Sequence, residues 1–208
     1  MQLFKELFLK GGLIISAILI GYLIFESFVY LVQATTVNVT ATVPTSVTCT
    51  PSTTTTAFGN IDPNAVYTSS PNVTITVSCN PAAGCQVQIN DQGSGSQPGL
   101  YKSTSPTHLI PSPNSAFNAT ATLVAGTEGY GIQAATTSAG SGGTLTLNPR
   151  YNQTGNTVGG LTTTTIQLAS STEPVANREI VVTHKAAVSS LTPAGNYQDA
   201  ITYNCSAN

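Results

Sequence analysis

Charge is scarce in this sequence. Only 7% of its 208 residues are charged, against about 25% in ordinary soluble domains. After residue 34 the cations are Lys102, Arg150, Arg178 and Lys185, and six acids outnumber them. Phosphate recognition needs clustered Lys and Arg, so nucleic acid is excluded as a partner.

Residues with the spacing of known catalytic or metal sites are also missing. The chain has no Gly-x-Ser-x-Gly, His-Glu-x-x-His or paired-carboxylate motif. His184 falls on the apolar face of a predicted strand and His108 in a proline-rich loop, so both are interpreted as structural. The run from Asp91 to Gly95 lacks the repeated acids and the closing Glu of a calcium loop. We therefore predict no enzyme activity, no cofactor and no metal.

The N-terminus has the pattern of an export signal. Lys5 and Lys10 precede an apolar run from Leu13 to Phe25, which places the N-terminus inside and the remainder outside the cell. Residues 1–34 are either a signal peptide cut after Val32-Gln33-Ala34 or a membrane anchor formed by residues 11–34. The predicted location is extracellular, at the cell surface.

Alternating apolar and polar residues dominate the rest of the chain, which predicts one all-β domain over residues 35–208. The clearest example is the stretch 72–90, where two strands flank the turn residues Asn80, Pro81 and Gly84 as a hairpin. Residues 91–113 are expected to form a loop with short apolar contacts. Strands are predicted at residues 46–49, 73–78, 86–90, 119–124, 131–135, 144–148, 162–168, 179–188 and 197–205.

The most regular alternation lies at Thr35 to Val43, just after the export signal. Val37, Val39, Ala41 and Val43 fall on one face, and Thr and Asn on the other. Pro44 ends the pattern. This segment is expected to be a β-strand.

Four cysteines in an exported chain predict two disulfides, which can be arranged in three ways. If the strand at Cys49 pairs antiparallel with residues 73–78, Cys49 meets Cys79. If the last strand pairs with residues 86–90, Cys85 faces Cys205. This arrangement is favoured, and the alternative of Cys79 with Cys85 and Cys49 with Cys205 stays open.

A set of short motifs at the two ends of the domain resembles spore coat protein U or Csu-type pilin domains. These motifs are Cys49, Phe58-Gly59, the strand ending at Cys79, and the closing Gly-x-Tyr-x-Asp of 195–199. The internal tryptophan motif of that family is absent, and Cys85 and Cys205 are additional. The resemblance implies an incomplete, immunoglobulin-like antiparallel β-sandwich, whose last strand comes from the N-terminal extension of the next subunit.

By that resemblance, Thr35 to Val43 is a donor strand; otherwise it is the domain's own first strand. The predicted function is a structural protein of the cell surface, a pilus or fibre subunit that self-associates by β-strand addition or binds other surface proteins. The alternative is a membrane-anchored adhesin or carbohydrate-binding module. That alternative needs exposed aromatic platforms, for which Tyr101, Tyr130 and Tyr151 are the candidates.

Overall fold

The computed structural model describes residues 2–26, 35–113 and 119–208. The chain divides into two units, 1–43 and 44–208. In the first unit, helix α1 spans Gln2–Glu26, and apolar side chains such as Phe8, Leu13 and Ile18 are exposed on it. Among the residues described, no helix combines the length and apolarity needed to cross a membrane. The predicted cleavage site at residues 32–34 lies outside the described residues.

The segment from Thr35 to Val43 does not form the strand that its alternation predicts. Residues 35–46 have no regular secondary structure. Val37, Val39 and Val43 are 80%, 88% and 80% exposed. The interpretation of Thr35 to Val43 as the domain's own first strand is therefore not supported. The compact β unit begins at Pro44, later than residue 35.

The second unit is built from antiparallel strands. The strands are β1 Val47–Pro51, β2 Tyr67–Thr68, β3 Val73–Cys79, β4 Cys85–Asp91, β5 Gly99–Lys102, β6 His108–Pro111, β7 Thr120–Thr122, β8 Gly129–Thr136, β9 Ser141–Gly142, β10 Thr146–Leu147, β11 Thr157–Gly159, β12 Ile166–Ser171, β13 Val175–Ala187 and β14 Ile201–Ala207. In the larger sheet the order is β1-β3-β13-β8-β11-β7, and β2 and β9 also pair with β13. In the second sheet the order is β10-β12-β4-β14, and β5 pairs with β6 as a separate ribbon.

The two sheets pack face to face, because strict alternation gives each of them one apolar face. Every second residue of β3 and of β4 is buried, so each strand contributes one apolar face to a shared core. Ile75, Val77, Val87 and Ile89 are completely buried in it. The predicted fold class is confirmed: a disulfide-stapled antiparallel β-sandwich of immunoglobulin-like type, preceded by an apolar helix.

The central turn differs from the predicted hairpin. β3 pairs with β1 and β13 in the larger sheet, whereas β4 pairs with β12 and β14 in the other. The turn at residues 80–84 therefore carries the chain from one sheet to the other. Gly84 closes it at φ +76°, and its N–H donates to the Pro81 carbonyl at 2.9 Å. Two strands that are both buried on one face satisfy the sequence pattern equally well in one sheet or in two.

The disulfides follow the pairing that the sequence disfavoured. Cys49 is bonded to Cys205 and Cys79 to Cys85. The strand partners themselves are as expected, because β1 pairs with β3 and β4 with β14. Their registers are shifted by two residues, however: Cys49 lies opposite Val77, and Cys205 opposite Val87.

Candidate functional site

The two terminal strands of the sandwich meet at one edge of the β unit. β1 is the last strand of the larger sheet and β14 the last of the four-stranded sheet. The Cys49–Cys205 disulfide joins them across the sandwich, with a Cα–Cα distance of 6.0 Å. Among the described residues, neither strand has a neighbour on its outer side. Their outer backbone groups are therefore available for pairing.

Apolar side chains at this edge are incompletely covered. Val47 on β1, and Ile201 and Tyr203 on β14, pack against the core but remain half-buried. The alternate residues Thr48, Thr202 and Asn204 are exposed. An added strand would cover the half-buried residues while its backbone pairs with β14. We call β1 and β14 together the open edge.

A carboxyl pair lies at the beginning of the open edge. Asp91, the last residue of β4, is 1% exposed, and Asp199 precedes β14. The Gly93 N–H donates to both, at 3.2 Å from Asp91 Oδ1 and 3.1 Å from Asp199 Oδ1. The Gly99 N–H donates to Asp91 Oδ2 at 2.8 Å. Within the described part of the chain, no group of three metal-ligating side chains is present.

The surroundings of this pair are apolar and aromatic. Burial, then the negative charges of Asp199 and Asp91, raise the pKa of Tyr130 well above its ordinary value. Burial also raises the pKa of Tyr203, with Asp199 adding to the effect. Burial lowers the pKa of His184 to about 4, although Asp199 acts in the opposite sense. The phenols and this imidazole are therefore neutral at pH 7.

The two histidines are held within the fold. His184 is 6% exposed and shares its face of β13 with Ile180 and Val182, as predicted; its Nδ1 is 3.4 Å from Ser69 Oγ. His108 Nε2 is 2.8 Å from Glu128 Oε1. The Thr192 hydroxyl donates to the same oxygen, so this cluster joins β6 to the turns before β8 and after β13.

Arg178 is held by main-chain contacts on β13. This strand lies inside the larger sheet, between β3 and β8. The Arg178 guanidinium donates to three carbonyls, those of Gly143 at 2.9 Å, Ala139 at 3.2 Å and Gly142 at 3.0 Å. It therefore organises the glycine-rich turn that contains β9.

The tyrosines considered for carbohydrate stacking do not form a platform. Tyr130 is 3% exposed and Tyr151 is completely buried. The Tyr151 hydroxyl donates to the Gly160 carbonyl at 3.2 Å. Tyr101 alone of the three is half-buried, on β5. Stacking on sugar rings needs exposed aromatic faces, so these residues give the carbohydrate-binding alternative no support.

The carboxyl pair was missed in the sequence, although one signal for it exists. Asp91 continues the buried phase of Cys85, Val87 and Ile89, so an acid occupies a core-facing position. Its partner Asp199 is more than a hundred residues away in the chain. Only the pairing of β4 with β14 brings the two together.

No family model, no curated protein and no solved structure matches this chain. The architecture defines its class, a disulfide-bonded antiparallel β-sandwich. The resemblance to Csu-type pilin domains stays a prediction.

Proposed function

We propose that this protein is an exported structural subunit of the cell surface that assembles into fibres by β-strand addition. The observation that carries the proposal is the coexistence of an open edge with an unpaired, alternating apolar segment. In the assembly, Thr35 to Val43 of one copy pairs with β14 of the next.

The chemistry of the two surfaces is complementary. The donor segment presents Val37, Val39 and Val43 on one face, and full burial of a valine stabilises by roughly 1.5 to 3 kcal/mol. The open edge presents half-buried Val47, Ile201 and Tyr203. Neither surface carries a charged side chain at these positions, so no ion must be desolvated when they meet.

Disulfides support an oxidising location for this assembly. Both cysteine pairs are bonded and no free cysteine is present among the described residues. Such bonds persist in exported proteins and are rare in the cytosol. The Cys49–Cys205 bond also fixes β1 and β14 at the edge, so less order must be gained when a strand is added.

The test uses the full-length chain and two matched double variants. Val37→Asp with Val39→Asp places charge on the apolar face of the donor segment. Thr36→Asp with Thr40→Asp places the same charge on its polar face. Light scattering after size exclusion should show concentration-dependent oligomers for the parent and the Thr variant, and monomers for the Val variant. Equal oligomerisation of both variants would refute assembly through this face.

A peptide experiment tests the acceptor. A labelled peptide with the sequence of residues 35–43 should bind a chain from which those residues have been deleted. A scrambled peptide of the same composition should not bind. If the deletion leaves the oligomers of the parent intact, strand addition through this segment is wrong.

A further inference from the structure

The carboxyl pair of Asp91 and Asp199 joins two segments that are distant in the chain. Beside the shared Gly93 N–H, the Gln92 N–H donates to the Ala200 carbonyl at 2.9 Å. Tyr101 and Gln198 exchange backbone hydrogen bonds of 2.9 and 3.0 Å. The pair therefore lies where the turn 92–99 contacts residues 198–200, immediately before β14.

The geometry forces the two carboxyl groups to interact. A single N–H within 3.2 Å of Asp91 Oδ1 and 3.1 Å of Asp199 Oδ1 requires these oxygens to be close neighbours. Asp91 is 1% exposed, and two adjacent carboxylates repel each other strongly in such surroundings unless one of them is protonated. A shared proton converts this repulsion into a hydrogen bond.

We propose that Asp91 and Asp199 share one proton in the folded protein and act as a pH-sensitive latch, which holds turn 92–99 against residues 198–200 and opens when the proton is lost. This inference does not depend on fibre assembly. It predicts that the start of β14 is the part of the domain that opens first under alkaline conditions.

The surroundings of Asp91 favour its protonated form. Burial first, and then the hydrogen bond and negative charge of Asp199, raise the pKa of Asp91 to about 9. The Gly99 and Gly93 N–H groups act in the opposite sense. Titratable groups that interact electrostatically with the pair are Tyr130 on β8, Tyr203 on β14, His184 on β13 and Tyr151, which has Arg150 over its ring.

The linkage between proton binding and folding gives the sign of the effect of pH on stability. Because the pKa of Asp91 rises from 3.8 to about 9 on folding, its contribution to stability is complete below pH 3.8 and declines as the pH rises towards 9. His184 has the opposite sign, since its pKa falls from 6.5 to about 4. The two effects cancel between about pH 4 and 6.5. From there to about pH 9 the unfolding equilibrium constant should rise roughly tenfold per pH unit.

Urea unfolding of the full-length chain from pH 5 to pH 10 tests the latch. The parent should lose stability between pH 6.5 and 9, whereas Asp91→Asn, which mimics the protonated acid, should show no such loss. Asp62→Asn is the matched control, because Asp62 is exposed and the change should leave the parental slope intact. A parent without the slope, or an Asp91→Asn variant that retains it, would overturn the proposal.

Carboxyl ¹³C NMR of the parent tests the ionisation of Asp91 even if Asp91→Asn does not fold. The Asp91 resonance should titrate near pH 9, and a midpoint below pH 5 would overturn the latch. Amide exchange then locates the opening. At the same alkaline pH, Gly93 and Gly99 should exchange faster in the parent than in Asp91→Asn, and equal rates would contradict a local latch.

Discussion

Removal of the Cys49–Cys205 disulfide should destabilise the domain more than removal of the Cys79–Cys85 disulfide. The cysteines are 156 residues apart in the first pair and 6 apart in the second. In the chain-entropy account, cross-links over these separations stabilise by about 5 and about 2 kcal/mol respectively. The double variants Cys49→Ala with Cys205→Ala, and Cys79→Ala with Cys85→Ala, compare the two bonds.

Packing makes the difference in lost stability between the two double variants smaller but does not reverse it. Cys79 and Cys85 are 5% and 0% exposed, so their replacement also leaves small cavities that cost about 1 kcal/mol in total. Cys49 and Cys205 are half-buried and lose less packing. The expected losses in the free energy of unfolding are therefore about 5 kcal/mol for the long-range pair and about 3 kcal/mol for the turn pair.

The urea dependence of unfolding separates chain entropy from packing. Breaking the long-range cross-link lets the unfolded chain expand, which exposes more surface and raises the m-value. Breaking the turn cross-link changes the unfolded chain little, so its m-value should remain parental. An equal or larger loss of stability for the turn pair, with unchanged m-values in both variants, would refute this reasoning.

Two further sets of substitutions test local features of the fold. Gly84→Ala should cost more than about 2 kcal/mol, because a positive φ is strained for alanine and the added Cβ would lie 2.1 Å from the Ser171 carbonyl oxygen. Gly59→Ala has a similar φ of +69° but open space around it, and should cost about 1 kcal/mol. Arg178→Ala should cost about 1 to 2 kcal/mol by chemical denaturation, and Arg178→Lys should not restore it, because an ammonium cannot match the three-carbonyl geometry. Equal costs for the two glycines, or full rescue by lysine, would contradict these interpretations.

The sequence predicted the fold class and most of the main strands because alternation directly reports which faces are buried. Val73, Ile75 and Val77 identify β3 in this way. Alternation does not report the partner of a strand, which is why the turn at residues 80–84 was interpreted as a hairpin. The ribbon of β5 and β6 was missed because its strands are short and lie among prolines and glycines.

Strand register and long-range contacts could not be predicted from the sequence either. A shift of two residues keeps every side chain on its own face, so alternation could not decide between the two disulfide arrangements. Alternation also does not identify what buries an apolar face, as Thr35 to Val43 shows. The regular pattern of this segment indicates a face suited to burial, but the edge that would bury it need not belong to the same copy of the chain.

Hydrogen exchange of the full-length chain, compared between its monomeric and oligomeric fractions, tests the central claim most directly. Strand addition predicts that amides of residues 35–43 and of Ile201–Ala207 become protected together in oligomers and are unprotected on their outer sides in monomers. Oligomers in which residues 35–43 exchange as fast as in the monomer would contradict the account.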